Sequence, residues 1–250
     1  MKRRRLYWLI GLIDGDGYVN DRKIEIYNSS PSILKEAVEI LKELGIPMEK
    51  IKVDVYSSQP TNIKVARWCK TLGLPYGSFK ARLNTSPWKE RKEKIRLRVH
   101  SKQFVLRLRS KKPSGFGYAK GLFDAEASVD IKGYIEFKQK ARPKGLRITK
   151  ILHKILSERN MECSPVRLKN DMGIKNDAYF YVKNLEKFAN EINFVDADKK
   201  RKLEILLKMR KRKTGGLPSK LRIEDGQSLW NMMDKLELPY HTLKKYLAFR

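Results

Sequence analysis

The apolar positions along the chain change their period several times, and each change marks an element. Residues 6–13 (LYWLIGLI) form an almost unbroken apolar run that stops at Asp14-Gly15-Asp16-Gly17. A run of that density, closed by glycines, predicts a buried helix over about residues 6–15. RKIEIY (22–27) alternates and predicts a strand. PSILKEAVEILKEL (31–44) returns to helical spacing, with Ile33, Leu34, Ala37, Val38, Leu41 and Leu44 on one face and Gly45 as its stop. IKVDVY (51–56) and IRLRVH (95–100) alternate again, and Ser101 is placed to cap the helix that follows.

The same order recurs. LIGLIDGDG (9–17) aligns with AKGLFDAEA (119–127), so Asp16 corresponds to Glu126, 110 positions later. A second helix is expected over about 116–125. YIEFKQK (134–140) follows as a strand, then a helix carrying Ile148, Ile151, Leu152, Ile155 and Leu156 and ending at Asn160. AYFYVKNLEKF (178–188) matches IRLRVHSKQF (95–104), with Asn184 in the place of Ser101. Two similar half-domains in one chain are the direct reading of such a repeat. The expected organisation is 1–112 for the first half, 113–208 for the second and 209–250 for a linker with a helical extension.

The halves differ by an insertion. Gly45 and Ser101 lie 56 positions apart, and Asn160 and Asn184 only 24. The first half therefore carries about 32 extra residues, expected within about 58–93. Within them, LGLPYGSFKARL (72–83) resembles LELPYHTLKKYL (236–247). Both read as a helix end, a Pro-containing turn and a second, basic helix, an outline that suits a helix-turn-helix unit. MRKRKTGGLPSK (209–220) reads as a linker.

Charge then narrows the function classes. The 250 residues carry 56 Lys and Arg against 28 Asp and Glu, a net charge of +28 with a pI near 10.1. Such a field attracts polyanions, nucleic acid first. No apolar run is long enough to span a bilayer. Lys2 and Arg3–Arg5 before an apolar run resemble the opening of a secretory signal. Acids follow that run directly, however, no small-residue cleavage site appears, and the segment is duplicated mid-chain. Cys69 and Cys163 stand far apart, without a CxxC pattern, and suit core packing in a reducing, cytoplasmic or organellar compartment.

The repeated motif has a chemical logic. Gly11 and Gly15 in one helix, and Gly121 and Ala125 in the other, are small residues at i and i+4. They line one face of each helix and let two helices approach closely. Asp16 and Glu126 would then sit together at helix C-termini, where the dipole disfavours each carboxylate by about 1 kcal/mol. A divalent cation between them reverses that sign, since Mg²⁺ takes one or two carboxylates plus waters and phosphate oxygens. The strands supply a polar face: Arg96, Arg98 and His100; Lys52, Asp54 and Tyr56; Lys132, Tyr134 and Lys138; Arg167 and Lys169; Tyr179 and Tyr181. Arg, Lys and Tyr contact phosphates and base edges.

LIGLIDGDG and AKGLFDAEA, each followed by hairpin, helix, hairpin and helix, resemble the LAGLIDADG homing endonucleases in their single-chain, two-motif form, over about residues 6–208. The resemblance implies an α+β fold of two pseudo-twofold-related αββαββα half-domains, whose antiparallel sheets form a saddle over the DNA major groove. It implies a monomer that cuts a long asymmetric duplex site with Mg²⁺, or Mn²⁺ in its place, to leave short 3′ overhangs, as intron homing requires. Asp16 and Glu126 take the metal-ligand role. Asn28, and Gln139 with Lys140, match the strand-end residues that orient water, and Lys199 matches the lysine near the phosphate. Arg22, Asn28, Lys52, Tyr56, Arg96, Arg98, Lys132, Lys138, Lys140, Arg167, Lys169, Tyr179 and Tyr181 are the expected DNA contacts. His100, His153 and His241 are read as contact or structural residues.

Ala127 departs from the family's glycine; a positive φ there would cost about 1 kcal/mol. Two other readings stay open. One is a non-cleaving transcription regulator that joins this core to a helix-turn-helix tail. The other is an RNA maturase acting on its own intron.

Overall fold

The structure, a computed structural model, describes residues 2–58, 60–83, 93–171, 174–211, 228–236 and 238–248. By packing, the chain divides into two compact units, Met1–Glu126 and Ala127–Arg250.

In the first unit, helix α1 (Lys2–Asp16) passes without a loop into strand β1 (Gly17–Val19), which turns back as β2 (Lys23–Asn28). Helix α2 (Pro31–Glu43) follows, then β3 (Ile51–Ser57), α3 (Asn62–Leu72), β4 (Phe79–Leu83), β5 (Lys94–His100), α4 (Lys102–Arg109) and α5 (Gly115–Glu126). The five strands lie in the order β1-β2-β5-β3-β4. All pairs are antiparallel except β3 with β4.

The second unit repeats this plan with β6 (Ala127–Asp130), β7 (Tyr134–Lys140), α6 (Pro143–Ser157), β8 (Arg167–Asp171), β9 (Ile174–Val182) and α7 (Leu185–Glu191). Its sheet runs β6-β7-β9-β8, antiparallel throughout. Helix α8 (Ala197–Lys211) and two short helices, α9 (Leu229–Leu236) and α10 (Tyr240–Ala248), complete it. The mixed α+β architecture with its repeated helix–hairpin order is the one expected from the sequence.

Local rules account for the element ends. Gly45, just past α2, adopts φ of +77°, the left-handed conformation that closes a helix. Ser101 and Asn184 cap α4 and α7, accepting from the backbone N–H of Phe104 and Lys187. Of the predicted face of α2, Ile33, Leu34, Ala37, Val38 and Leu41 are buried, Ile40 joins them, and Leu44 past the helix end is half-buried. α6 runs to Ser157, and Asn160 beyond it holds φ of +55°.

Three expectations need correction. In the first L-P-Y stretch, a short 3₁₀ turn at Tyr76–Ser78 leads into β4, not a second helix, so no helix-turn-helix forms there. FKARL alternates apolar and basic residues, and it pairs in parallel with β3. The C-terminal copy does form two helices, the first of which docks on α8: Arg201 reaches Asn231 at 2.9 Å, and Lys202 lies 5.9 Å above the Trp230 ring. The expected linker at 209–220 begins inside α8, and most of it lies outside the described residues. Finally, α5 opens the second repeat in sequence but belongs to the first unit by packing.

That packing of α1 on α5 is backbone against backbone. A Cβ built on Gly121 would stand 2.0 Å from the Trp8 carbonyl oxygen, and one on Gly11 would stand 2.2 Å from that of Tyr118. Gly117 meets the Arg4 carbonyl at 2.5 Å in the same sense, a third glycine the sequence reading left out. Leu9, Leu12, Leu122 and Phe123 are fully buried on the two helices.

Gly121→Ala should destabilise the protein by about 3 kcal/mol in urea unfolding, since neither carbonyl nor helix axis can yield a full ångström without unpacking its neighbours. Gly77→Ala meets open space and should change stability by less than about 0.5 kcal/mol.

Candidate active site and nucleic-acid face

The close approach carries two reciprocal hydrogen bonds. The Trp8 indole Nε1–H donates to Asp124 Oδ2 at 2.7 Å, and the Tyr118 hydroxyl donates to Asp14 Oδ2 at 2.8 Å. Trp8 and Tyr118 are themselves 110 positions apart, so the repeat is written into the contacts across the helix pair. Asp124 is only 1% exposed. The first acid of each motif thus has a structural role that the sequence reading did not assign. Its signal was present: an aromatic donor stands six residues before each such acid.

The second acid of each motif is the last residue of its helix, and both are half-buried. A Cβ built on Gly15 would lie 2.5 Å from Ala125 Cβ, 3.1 Å from Glu126 Cγ and 3.6 Å from Glu126 Oε1. The Glu126 carboxylate therefore reaches across to the backbone beside Asp16. The Asn28 amide Nδ2 donates to Asp16 Oδ2 at 2.7 Å, while its own Oδ1 accepts from the Ser30 backbone N–H. Asn28 shares the helix-covered face of β2 with buried Ile24 and Ile26. It orients Asp16 from that face instead of standing on the polar face with the expected DNA contacts.

Among the described residues no group of three or more His, Cys, Asp or Glu side chains is placed to hold a metal. The donor set is therefore the two carboxylates at the helix ends. It fits a hard divalent cation whose remaining ligands are water and phosphate oxygens, and not a closed protein cage.

Gln139 and Lys199 lie in the second unit. Gln139 follows Phe137 on the covered face of β7, and pairing places Phe137 and Ala127 as Ile26 and Gly17 are placed in the first sheet. Gln139 is thus the counterpart of Asn28, and its amide nitrogen is buried without a hydrogen-bond partner. Lys199 stands in the first turn of α8, its N–H bonded to Asp196 Oδ1 and its Nζ 6.0 Å from the Phe194 ring centroid. Ala127 has no positive φ, and neither does Gly17. The glycine is required only by packing, since a Cβ there would meet the Ile13 carbonyl at 2.5 Å, so Ala127 carries no backbone strain.

The polar face of the first sheet is more tightly paired than alternation alone implies. Asp54, 0% exposed, accepts from Arg96 and Arg98. Glu25 accepts from Lys23 and from the Tyr27 hydroxyl, each at 2.6 Å. Burial works against ionising Glu25, but these two bonds and the Lys23 and Arg96 charges overcome it, and its pKa lies below the usual value. The Arg96 guanidinium lies 5.5 Å over the Tyr56 ring. Lys52 is half-buried on this face, and Arg22 is exposed before β2.

The second sheet is built from aromatic and basic side chains. Tyr134 and Tyr181 rings stand 4.5 Å apart, and Tyr179 is 5.5 Å from Tyr181. Burial, then the Asp130 charge, pushes the Tyr134 phenol up to about 12, so its hydroxyl stays a donor at neutral pH. Lys138, Lys140, Arg167 and Lys169 are exposed around them, with Lys140 paired to Asp177 at 3.0 Å. Lys132 sits at the β6–β7 turn and lines a cavity of about 410 Å³ with Arg210, Tyr240 and His241.

Residues 4–111 match the family described as a LAGLIDADG-like domain. No curated protein matches the chain. Among solved structures, I-DmoI in complex with DNA and Mn superposes with a TM-score of 0.47 at 16% identity, covering 77% of this chain and 97% of that one. Full-length DUF199/WhiA from Thermatoga maritima gives 0.48 at 15% identity, covering 95% and 66%. The N-terminal LAGLIDADG domain of DUF199/WhiA gives 0.44 at 12% identity, covering 76% and 79%.

Trp8→Phe removes a donor from a buried carboxylate and should cost about 2 kcal/mol of stability. Tyr118→Phe, whose partner Asp14 is only half-buried, should cost about 1 kcal/mol. Denaturant titration of the two variants beside the parent checks both values and their order.

Proposed function

We propose, on the premise that residues 4–111 are a LAGLIDADG-like domain, that this chain is a site-specific DNA endonuclease. It cuts both strands of a long asymmetric duplex target with Mg²⁺ or Mn²⁺, leaves short 3′ overhangs, and acts as a monomer in the homing of the element that encodes it. The observation that carries the reading is the glycine-faced pairing of α1 and α5, which ends both helices in a carboxylate and brings Glu126 beside Asp16. A structural role alone would not leave two acids facing each other at negative helix ends.

Asp16 and Glu126 would hold the cation. A divalent ion there would supply Lewis-acid activation of the scissile phosphate and of an attacking water. Asn28 holds one Asp16 oxygen with its amide. Gln139 carries an unpartnered buried amide nitrogen and would orient water. Lys199 would neutralise charge on the phosphate. The +28 charge supplies salt-sensitive affinity, and the basic and tyrosine-lined sheet faces supply contacts to phosphates and base edges. The two faces are built differently, which suits an asymmetric target. The helices α9 and α10, joined through Pro239, favour one rival reading, a DNA-binding regulator that does not cut.

The test is selection for double-strand cleavage from a randomised duplex library with Mg²⁺, run beside Asp16→Asn and Glu126→Gln. One enriched, staggered site is expected. Each variant should lose about 1,000-fold in cutting at least one strand while its DNA affinity changes less than about threefold. Wild-type rates on both strands in either variant would sink the metal assignment. Selective binding without a cut would identify the regulator, and a preference for intron RNA over duplex would identify a maturase.

A further inference from the structure

The face of the first sheet is organised around one fully buried carboxylate. Asp54, in the middle of β3, is 0% exposed. Pairing sets Arg96 of β5 directly opposite it, with Arg98 one step along the same face. Arg82, on β4, approaches diagonally from the other side. Asp54 Oδ2 accepts from Arg96 Nε at 2.9 Å and Nη2 at 2.7 Å. Asp54 Oδ1 accepts from Arg98 Nη2 at 3.1 Å and Arg82 Nε at 3.2 Å. One negative charge thus gathers three positive ones.

A surface ion pair would leave these arginines mobile. Here three features hold them. The Asp54 contact to Arg96 is side-on, through Nε and Nη2, so the Nη1 edge of the guanidinium is not used by the carboxylate. The Tyr56 ring lies beneath the Arg96 guanidinium at 5.5 Å. Arg98 is 19% exposed and Arg96 22%, and the Arg98 Nε is buried without a partner. The guanidiniums are seated against Asp54 and only partly exposed.

The second sheet is built differently at the corresponding position. The register that pairs Asp54 with Arg96 pairs Arg167 with Tyr179. A cation stands where the first sheet has its anion.

We propose that Asp54 is a specificity-determining positioning residue, holding Arg96 and Arg98 so that their outer edges read guanine O6 and N7 in the half of the target that the first sheet covers. This rests on the DNA reading above. A mobile arginine can satisfy its charge on any phosphate and reports no sequence. One fixed in its plane by a carboxylate matches the paired acceptors of guanine and mismatches the amino group of adenine. The fixed side chain also loses less freedom on binding than a free one. The insert strand β4 adds Arg82 to the cluster, so the inserted segment extends the reading face.

The test uses Asp54→Asn, nearly isosteric, in the full chain carrying Asp16→Asn so that binding is measured without cutting. Selective enrichment from a randomised duplex library is compared with affinity for a random duplex across a salt series. Discrimination at the G·C positions of one half-site should fall about tenfold. Affinity for random duplex should hold or rise, with the log affinity–log salt slope steeper by roughly one, because a guanidinium released from Asp54 can neutralise a phosphate. A merely structural Asp54 would lower selective and non-selective binding together, and that result overturns the proposal, as does an unchanged enrichment pattern. Should Asp54→Asn fail to fold, Arg96→Lys decides. It keeps the charge and loses the planar fork, so it should lose the same G·C preference, and retention of that preference overturns the proposal. If the parent enriches no duplex sequence at all, the DNA reading fails and takes this assignment with it; a selective parent whose Asp54 and Arg96 variants select equally well refutes this assignment alone.

Discussion

The contact on which the rest depends is the passage of α1 across α5, backbone against backbone at Gly11 and Gly121. Carbonyl oxygens of Trp8 and Tyr118 occupy the space that Cβ atoms would take on Gly121 and Gly11. Helices usually pack with axes 8–10 Å apart, held off by side chains, and glycines remove that spacer. Without it neither the Trp8–Asp124 nor the Tyr118–Asp14 bond could span the pair, and Glu126 could not lie beside the backbone next to Asp16. Buried polar bonds of this sort add direction to a contact that dispersion alone would leave free to slide.

The two sheets obey one topology and follow different chemistry. Each has the hairpin-first order, with the strand before the last short helix at its centre. The first face is an ion-pair network around Asp54 and Glu25, and the second is tyrosines ringed by lysines. Fold is held by the inward set of side chains, Ile26 with Leu97 and Phe137 with Phe180, while the outward set is free to diverge.

Periodicity made the elements legible, and the repeat made the motif legible. The apolar faces of α2 and α6, the caps at Ser101 and Asn184 and the helix ends at Asp16 and Glu126 follow from local patterns, so they were readable. Strand β4 was misread because Pro75 and the basic residues after it suggested a helix, although Phe79, Ala81 and Leu83 alternate; pairing with β3 settled the conflict. The partners of the arginines were not readable at all. Alternation says that Asp54 and Arg96 face the same way, but 42 residues separate them, and only strand register makes them neighbours. Likewise Asn28 was read only from the resemblance, as a strand-end residue that orients water and a DNA contact, while its parity on β2, beside Ile26 and facing Asp16, came from the pairing of strands.

Contact between main chains has a consequence for how the molecule tolerates change. The separation of the two motif helices is set by the radii of backbone atoms, a length that no substitution can lengthen gradually. Side chains elsewhere in the core can drift in size, and the sheets can shift with them, while the gap that positions the two acids keeps the same gauge. Variation is thereby steered outward, to the exposed faces of the sheets, and away from the separation of the two helix ends.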